Sequence, residues 1–207
     1  MSSILTKIMH HIVRFAYPYL LDIEEESRSA ADRRLKSRFR SLGERSNLGA
    51  NPSIANPERI SIGKCFYAKH FLRIEAIKEY GGKTHSPSLV IGDNVSCEDY
   101  VHIACAQDVE IGDGCLFASK VFITDHFHGS ISTSDLSQRP NERPLSCKPV
   151  KIGNNVWLGD NVSIMPGVTL GNNVIVGANA VVTHSFPDNV VVAGVPAKMI
   201  KKNDNKE

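Results

Sequence analysis

The chain is poor in aromatic residues and has no long apolar run. Only 7% of its 207 residues are Phe, Trp or Tyr, while Val and Ile are plentiful, which favours many short strands over a helical bundle. No stretch is apolar for long enough to cross a bilayer, and no secretory signal peptide is expected, because no small-residue cleavage site follows the N-terminal apolar segment. Neither sign of charge dominates: 24 Lys and Arg face 22 Asp and Glu, for a formal net charge of +2. That balance excludes a large electrostatic footprint for nucleic acid. The cysteines, Cys65, Cys97, Cys105, Cys115 and Cys147, form no Cys-x-x-Cys pair. They read as reduced thiols of a cytoplasmic protein, several at core positions.

What is present is a repeat. Ile152, Leu158, Ile164, Leu170, Val176 and Val182 follow one another at intervals of six. A second aliphatic series, Val156, Val162, Val168, Val174 and Ala180, falls four residues after the first five. A helix returns its apolar face at three and four residues, and a plain strand at two, so neither accounts for six. A short strand followed by a tight turn does. Gly and Asn accept positive φ at the turn, and the aliphatic lead residue points inward. Three such units make one triangular coil, and stacked coils make a solenoid with apolar columns.

The same spacing holds upstream over Ile91, Cys97, Ile103 and Val109, then shifts by two and continues at Ile111, Phe117 and Ile123. Ile60-Ser61-Ile62-Gly63 reads as an earlier rung. Residues 64–88 break the pattern and are expected to form a wider, irregular coil. Residues 124–149 break it again and are expected to project as a long loop, which in a compact fold points to function. Residues 24–42 are charged and helix-prone, with Leu35, Phe39 and Leu42 spaced for one face, and are expected to cap the end of the coil. Ile8, Ile12, Phe15 and Tyr19 fall on one face of a helix over 4–21. That face suits packing on this protein or a neighbouring subunit, and leaves open a peripheral membrane association through residues 4–21 at the inner face of the membrane. The expected division is a helical region over 1–45, the coil over 46–202 and a polar tail over 203–207.

The projecting loop opens with Thr124-Asp125-His126-Phe127-His128-Gly129. Histidine is the side chain suited to accept a proton near neutral pH. Asp125 is placed to orient an imidazole and to stabilise its charge. Trp157, the single tryptophan, is expected to point outward and pack on a ligand or a neighbouring subunit.

The Ile/Leu/Val-Gly repeat, the Asp125–Gly129 segment, the run Pro149–Gly159 and the ending Ala193-Gly194-Val195-Pro196-Ala197-Lys198 together resemble the hexapeptide-repeat acetyltransferases. The branch in view holds the maltose and galactoside O-acetyltransferases and the bacterial polysaccharide O-acetyltransferases. The resemblance spans roughly residues 60–201. It implies an all-β, left-handed parallel β-helix, a homotrimer, and an active site between adjacent subunits. It implies acetyl-CoA as co-substrate, no metal, and a histidine that deprotonates a hydroxyl of a carbohydrate acceptor for direct attack on the thioester. A gapless overlay on the sugar enzymes puts the base at His128, whereas the Asp-His-x-His-Gly form of the polysaccharide branch gives His126 the adjacent carboxylate, so both stand. Gly159, Asp160, Ala178, Thr183, Lys198 and Lys201 carry over as cofactor-binding positions; beside that resemblance, Gly177 and Ala178 are small enough for a pantetheine arm to lie along the wall, and Lys198 and Lys201 follow the last coil, where cations suit the 3′-phosphate of coenzyme A. Three readings compete with a sugar O-acetyltransferase. One is a carbonic anhydrase of the same fold using His102, His126 and His128. The others are a non-catalytic trimeric scaffold and an acetyltransferase for an amine or antibiotic acceptor.

Overall fold

The computed structural model describes residues 2–202; the tail expected over 203–207, and the side chain of Ile8, lie outside the described residues. The chain divides into two compact units, Met1–Arg38 and Phe39–Glu207.

The first unit is one helix, Ser2–Lys36, with Pro18 inside it and Arg33, Arg34 and Lys36 in its last turn. Cations there meet the negative end of the helix dipole, and Asp32 and Lys36 pair one turn apart at 2.8 Å. Leu5, Met9, Ile12, Phe15, Tyr19 and Ile23 are exposed along it. The helix stops short of the residue 42 expected from the sequence. Ser41–Leu42 is a strand, not helix, and pairs in parallel with Ile60–Ile62. Leu42 therefore leads a first coil with Leu48 and Ile54, again six apart.

In the second unit the chain visits three parallel sheets in fixed rotation. The first face stacks Ser41–Leu42, Ile60–Ile62, Ser88–Ile91, Asp108–Ile111, Val150–Ile152 and Thr169–Leu170. The second runs from Tyr67–Ala68 through Ser96–Cys97, Leu116–Phe117, Trp157–Leu158 and Ile175–Val176 to a closing hairpin, Val190–Gly194 with Ala197–Lys202. The third stacks Ser53–Ala55, Arg73–Ala76, His102–Cys105, Phe122–Thr124, Ser163–Ile164 and Val181–Val182.

Register turns the six-residue repeat into columns. Ile62, Ile91, Ile111, Ile152 and Leu170 are lateral partners on the first face. Ile54, Ile74, Ile103, Ile123, Ile164 and Val182 align on the third. All but Ile54 are buried, and each such side chain contributes roughly 1.5–3 kcal/mol. Residues 64–76 belong to this order rather than to an irregular coil: Ile62, Ala68 and Ile74 keep the spacing and are buried. The small Ala68 conceals the rung in the sequence. The true insertion is a hairpin of Glu79–Tyr80 against Lys83–Thr84.

The corners explain the Asp and Asn content. One side-chain oxygen in each coil accepts a backbone N–H from the coil before: Asp93 from Lys64, Asp113 from Asp93, Asn154 from Asp113, Asn172 from Asn154 and Asp188 from Asn172, all at 2.7–2.8 Å. Asn94, Asn155, Asn173 and Asn189 then take positive φ of 55–61°. Gly112 stands where a Cβ would overlap the Asn154 amide oxygen of this ladder.

Candidate active site

The stretch 124–149 is not a structureless loop. It leaves the third face after Thr124 and returns at Val150 as a two-stranded antiparallel ribbon, His126–His128 against Leu145–Cys147, with a short helix at Thr133–Leu136. Alternation along the ribbon puts His126 and His128 on one side and Phe127 on the other. The ribbon and the hairpin 79–84 stand over the outward side chains of the third face. Together they flank an open cavity of about 610 Å³ lined by Arg73, Glu75, Tyr80, His102, His126 and His128, among others.

Asp125 sits at the bend where the chain leaves the coil, and it is fully buried. Its carboxylate accepts three consecutive backbone N–H groups, from Ala106 at 2.8 Å, Gln107 at 2.7 Å and Asp108 at 2.8 Å. These lie at the corner leading from the third face to the first. Asp125 Oδ1 also pairs with His126 Nδ1 at 2.9 Å. Burial alone would push the Asp125 carboxyl up, but the imidazole and the three amides outweigh it and hold it below the usual carboxylate range. A carboxylate so fixed accepts a hydrogen bond from the Nδ1–H of a neutral imidazole and leaves the Nε2 lone pair available to accept a proton. The Thr124 hydroxyl adds a contact to His126 Nδ1 at 3.2 Å; nothing in the sequence singles out Thr124 as part of the site.

His126 is 8% exposed. His128 is exposed, has no carboxylate partner among the described residues, and meets the Tyr80 ring edge-on at 4.9 Å. The two imidazole centroids are 6.1 Å apart. A second imidazole–carboxylate pair lines the same cavity: His102 Nε2 lies 2.9 Å from Glu75 Oε2, and Glu75 Oε1 accepts from Arg73 Nη2 at 2.9 Å. Among the described residues no three His, Cys, Asp or Glu side chains gather as a metal site.

The cofactor candidates lie elsewhere on the coil. Gly159, Asp160, Gly177 and Ala178 occupy the corner between the second and third faces, whereas the ribbon leaves the opposite edge of the third face. Gly159 and Gly177 have a packing reason to be glycine, since a Cβ would crowd Ala178 and Ala193 respectively. Trp157 projects from the second face, 49% exposed, in lateral register with Leu116 and Ile175. Thr183 is exposed after the third-face strand, and Lys198 and Lys201 are exposed on the closing hairpin. None of the eight lines the histidine cavity.

The family model for the bacterial transferase hexapeptide (six repeats) matches residues 149–184. A protein of Escherichia coli named for lipopolysaccharide biosynthesis O-acetyl transfer is 46% identical over 157 residues, covering 74% of this chain and 76% of that protein. Among solved structures, a galactoside acetyltransferase in complex with coenzyme A is 29% identical with a TM-score of 0.52, over 82% of this chain and 68% of that one. A hexapeptide-repeat acetyltransferase of Vibrio cholerae complexed with acetyl-coenzyme A is 25% identical with a TM-score of 0.55, over 87% of this chain and 79% of that one.

Proposed function

The chain belongs to the hexapeptide-repeat acetyltransferase family, and on that premise we propose that it moves an acetyl group from acetyl-CoA to a hydroxyl of a sugar or surface polysaccharide, with His126 as general base. It is an acyltransferase, and the solved relatives holding acetyl-coenzyme A and coenzyme A support acetyl-CoA as its co-substrate. The acceptor follows the relative named for lipopolysaccharide biosynthesis. His126 Nε2 takes the hydroxyl proton as the oxygen attacks the thioester carbonyl. The C–S bond breaks, and the imidazolium returns the proton to the leaving thiolate.

The observation that carries this reading is the Asp125–His126 pair, in which a fully buried carboxylate holds an imidazole that lines the cavity. A histidine with one nitrogen fixed by a carboxylate and the other left basic is built for proton transfer. The separation of that cavity from the cofactor positions supports the rest of the proposal. In a left-handed β-helical homotrimer, the ribbon of one subunit meets the small-residue corner of the next, and Gly159, Asp160, Ala178, Thr183, Lys198 and Lys201 hold acetyl-CoA across the interface. Trp157 and Gly177 complete that wall.

The test has two parts. Light scattering should give three times 22.7 kDa, and release of the coenzyme A thiol should depend on an added glycan acceptor. A stable monomer that still transfers acetyl groups would remove the shared site; transfer to amines alone would remove the sugar acceptor.

A further inference from the structure

The third face carries a second ordered imidazole that the acyl-transfer reading leaves unused. Arg73 and His102 are lateral partners on adjacent strands, and Phe122 is the next residue in that row. Glu75 projects from the same side as Arg73, two residues on. Both Glu75 oxygens are occupied, Oε1 by Arg73 and Oε2 by His102 Nε2, each at 2.9 Å. The Phe122 ring flanks the imidazole on the other side, with centroids 5.0 Å apart. The His102 ring is thus fixed in position and in orientation, half-buried at the cavity wall.

Its chemistry follows from what is left over. Burial, with the charges of Arg73 and His126, outweighs Glu75 and lowers the affinity of His102 for a proton. A neutral His102 donates a hydrogen bond from its Nε2–H to Glu75 and keeps a lone pair on Nδ1, for which the described residues supply no hydrogen-bond donor. The cavity therefore holds two lone-pair acceptors, Nε2 of His126 and Nδ1 of His102. One receives the proton of the reacting hydroxyl; the other calls for a second donor on the same ligand.

We propose that His102, oriented by Glu75, is an acceptor-recognition residue whose Nδ1 accepts a hydrogen bond from a second hydroxyl of the acceptor, so that the site selects a polyhydroxylated ring over a simple alcohol or an isolated amine. The inference rests on the acyl-transfer reading of the cavity. It adds a residue and a substrate requirement to that reading: a free hydroxyl near the one acetylated. A site built to bond a substrate hydroxyl discriminates against the analogue that lacks it, because a buried polar atom is left without its partner.

The test uses the full-length protein, acetyl-CoA, methyl glycosides of the common hexoses, and the monodeoxy forms of whichever glycoside is acetylated fastest. For the wild type, removing one particular hydroxyl should lower kcat/KM by about 10-fold or more, the size of a lost hydrogen bond. His102→Ala should show the same loss on the parent glycoside and little further loss on that deoxy analogue, with the KM for acetyl-CoA unchanged. His102→Asn, whose amide oxygen can stand near the Nδ1 position, should recover part of the discrimination; His102→Gln, which mimics Nε2, should not. If His102→Ala fails to fold, the Asn and Gln pair carries the comparison. A loss of equal factor on the parent and on every deoxy form would mark His102 as structural and overturn the inference alone. No loss at all would do the same. Transfer to simple alcohols or amines but to no glycoside would overturn both this inference and the sugar acceptor.

Discussion

Asp125 and His126 are consecutive in the chain, yet their side chains meet, with Asp125 Oδ1 2.9 Å from His126 Nδ1. Neighbours within a strand point to opposite faces. These two escape that rule because the chain bends at Asp125, between the last strand of the coil before the excursion and the first strand of the ribbon. The same carboxylate ties off three amides of the coil below. His126, itself the first residue of the ribbon, is thereby tied through Asp125 to the coil below.

The two histidines should separate in kinetics. His126→Ala should lower kcat by about 10²–10⁴-fold, the range for losing a general base. His128→Ala, an exposed ring against Tyr80, should act mainly on the KM of the acceptor. Steady-state rates of coenzyme A thiol release give both constants. A kcat collapse at His128 with His126→Ala intact would exchange their roles.

Asp125 should also leave a mark on stability against pH. Its folded pKa is lowered, so its contribution is present above the unfolded value of about 3.9 and is lost as pH falls through the folded value. The gap in Tm between wild type and Asp125→Asn should therefore hold at neutral pH and close below about pH 4. Thermal melts across the acid range up to neutrality measure it. A gap that widens in acid would contradict the sign.

Lys198 and Lys201 are exposed on the closing hairpin, opposite Ala193 and Val191. Replacing both with Ala should raise the KM for acetyl-CoA by about 10-fold, as expected for a charge-assisted contact, and should leave Tm and the acceptor KM alone. Dephospho-coenzyme A, which lacks the 3′-phosphate, should inhibit the wild type less well than coenzyme A, whereas the variant should not distinguish the two. Equal discrimination in both proteins would move the phosphate site elsewhere.

No helix among the described residues is long and apolar enough to cross a membrane. Even so, Leu5, Met9, Ile12, Phe15, Tyr19 and Ile23 are exposed along one broad side of the first helix, and Lys7 and Arg14 fall on the opposite side. Residues 4–21 should carry the full-length protein onto vesicles containing anionic phospholipid, less so as salt rises. Ile12→Asn with Phe15→Asn should release it in a sedimentation assay without changing transfer to a soluble glycoside. Retention of that variant on the vesicles would assign the apolar side to contacts between protein chains.

The six-residue period, the turn chemistry at its corners and the pairing of an acid with a histidine at 125–126 could all be read from the sequence, because each depends on residues a few positions apart. The tertiary structure decided what depends on stacking. Ala68 leads a rung but is too small to announce one, and Leu42 joins the first coil because a strand edge at Ile60–Ile62 is there to receive it. The stretch 124–149 became a ribbon because Leu145–Cys147 returns beside His126–His128. Both histidines are candidate bases in the sequence; the bend at Asp125 gives the carboxylate to His126. Glu75 and His102 are separated by 27 residues, and no local pattern joins them. They meet because Ile74 and Ile103 occupy the same buried column, and that shared register brings their outward neighbours together above it.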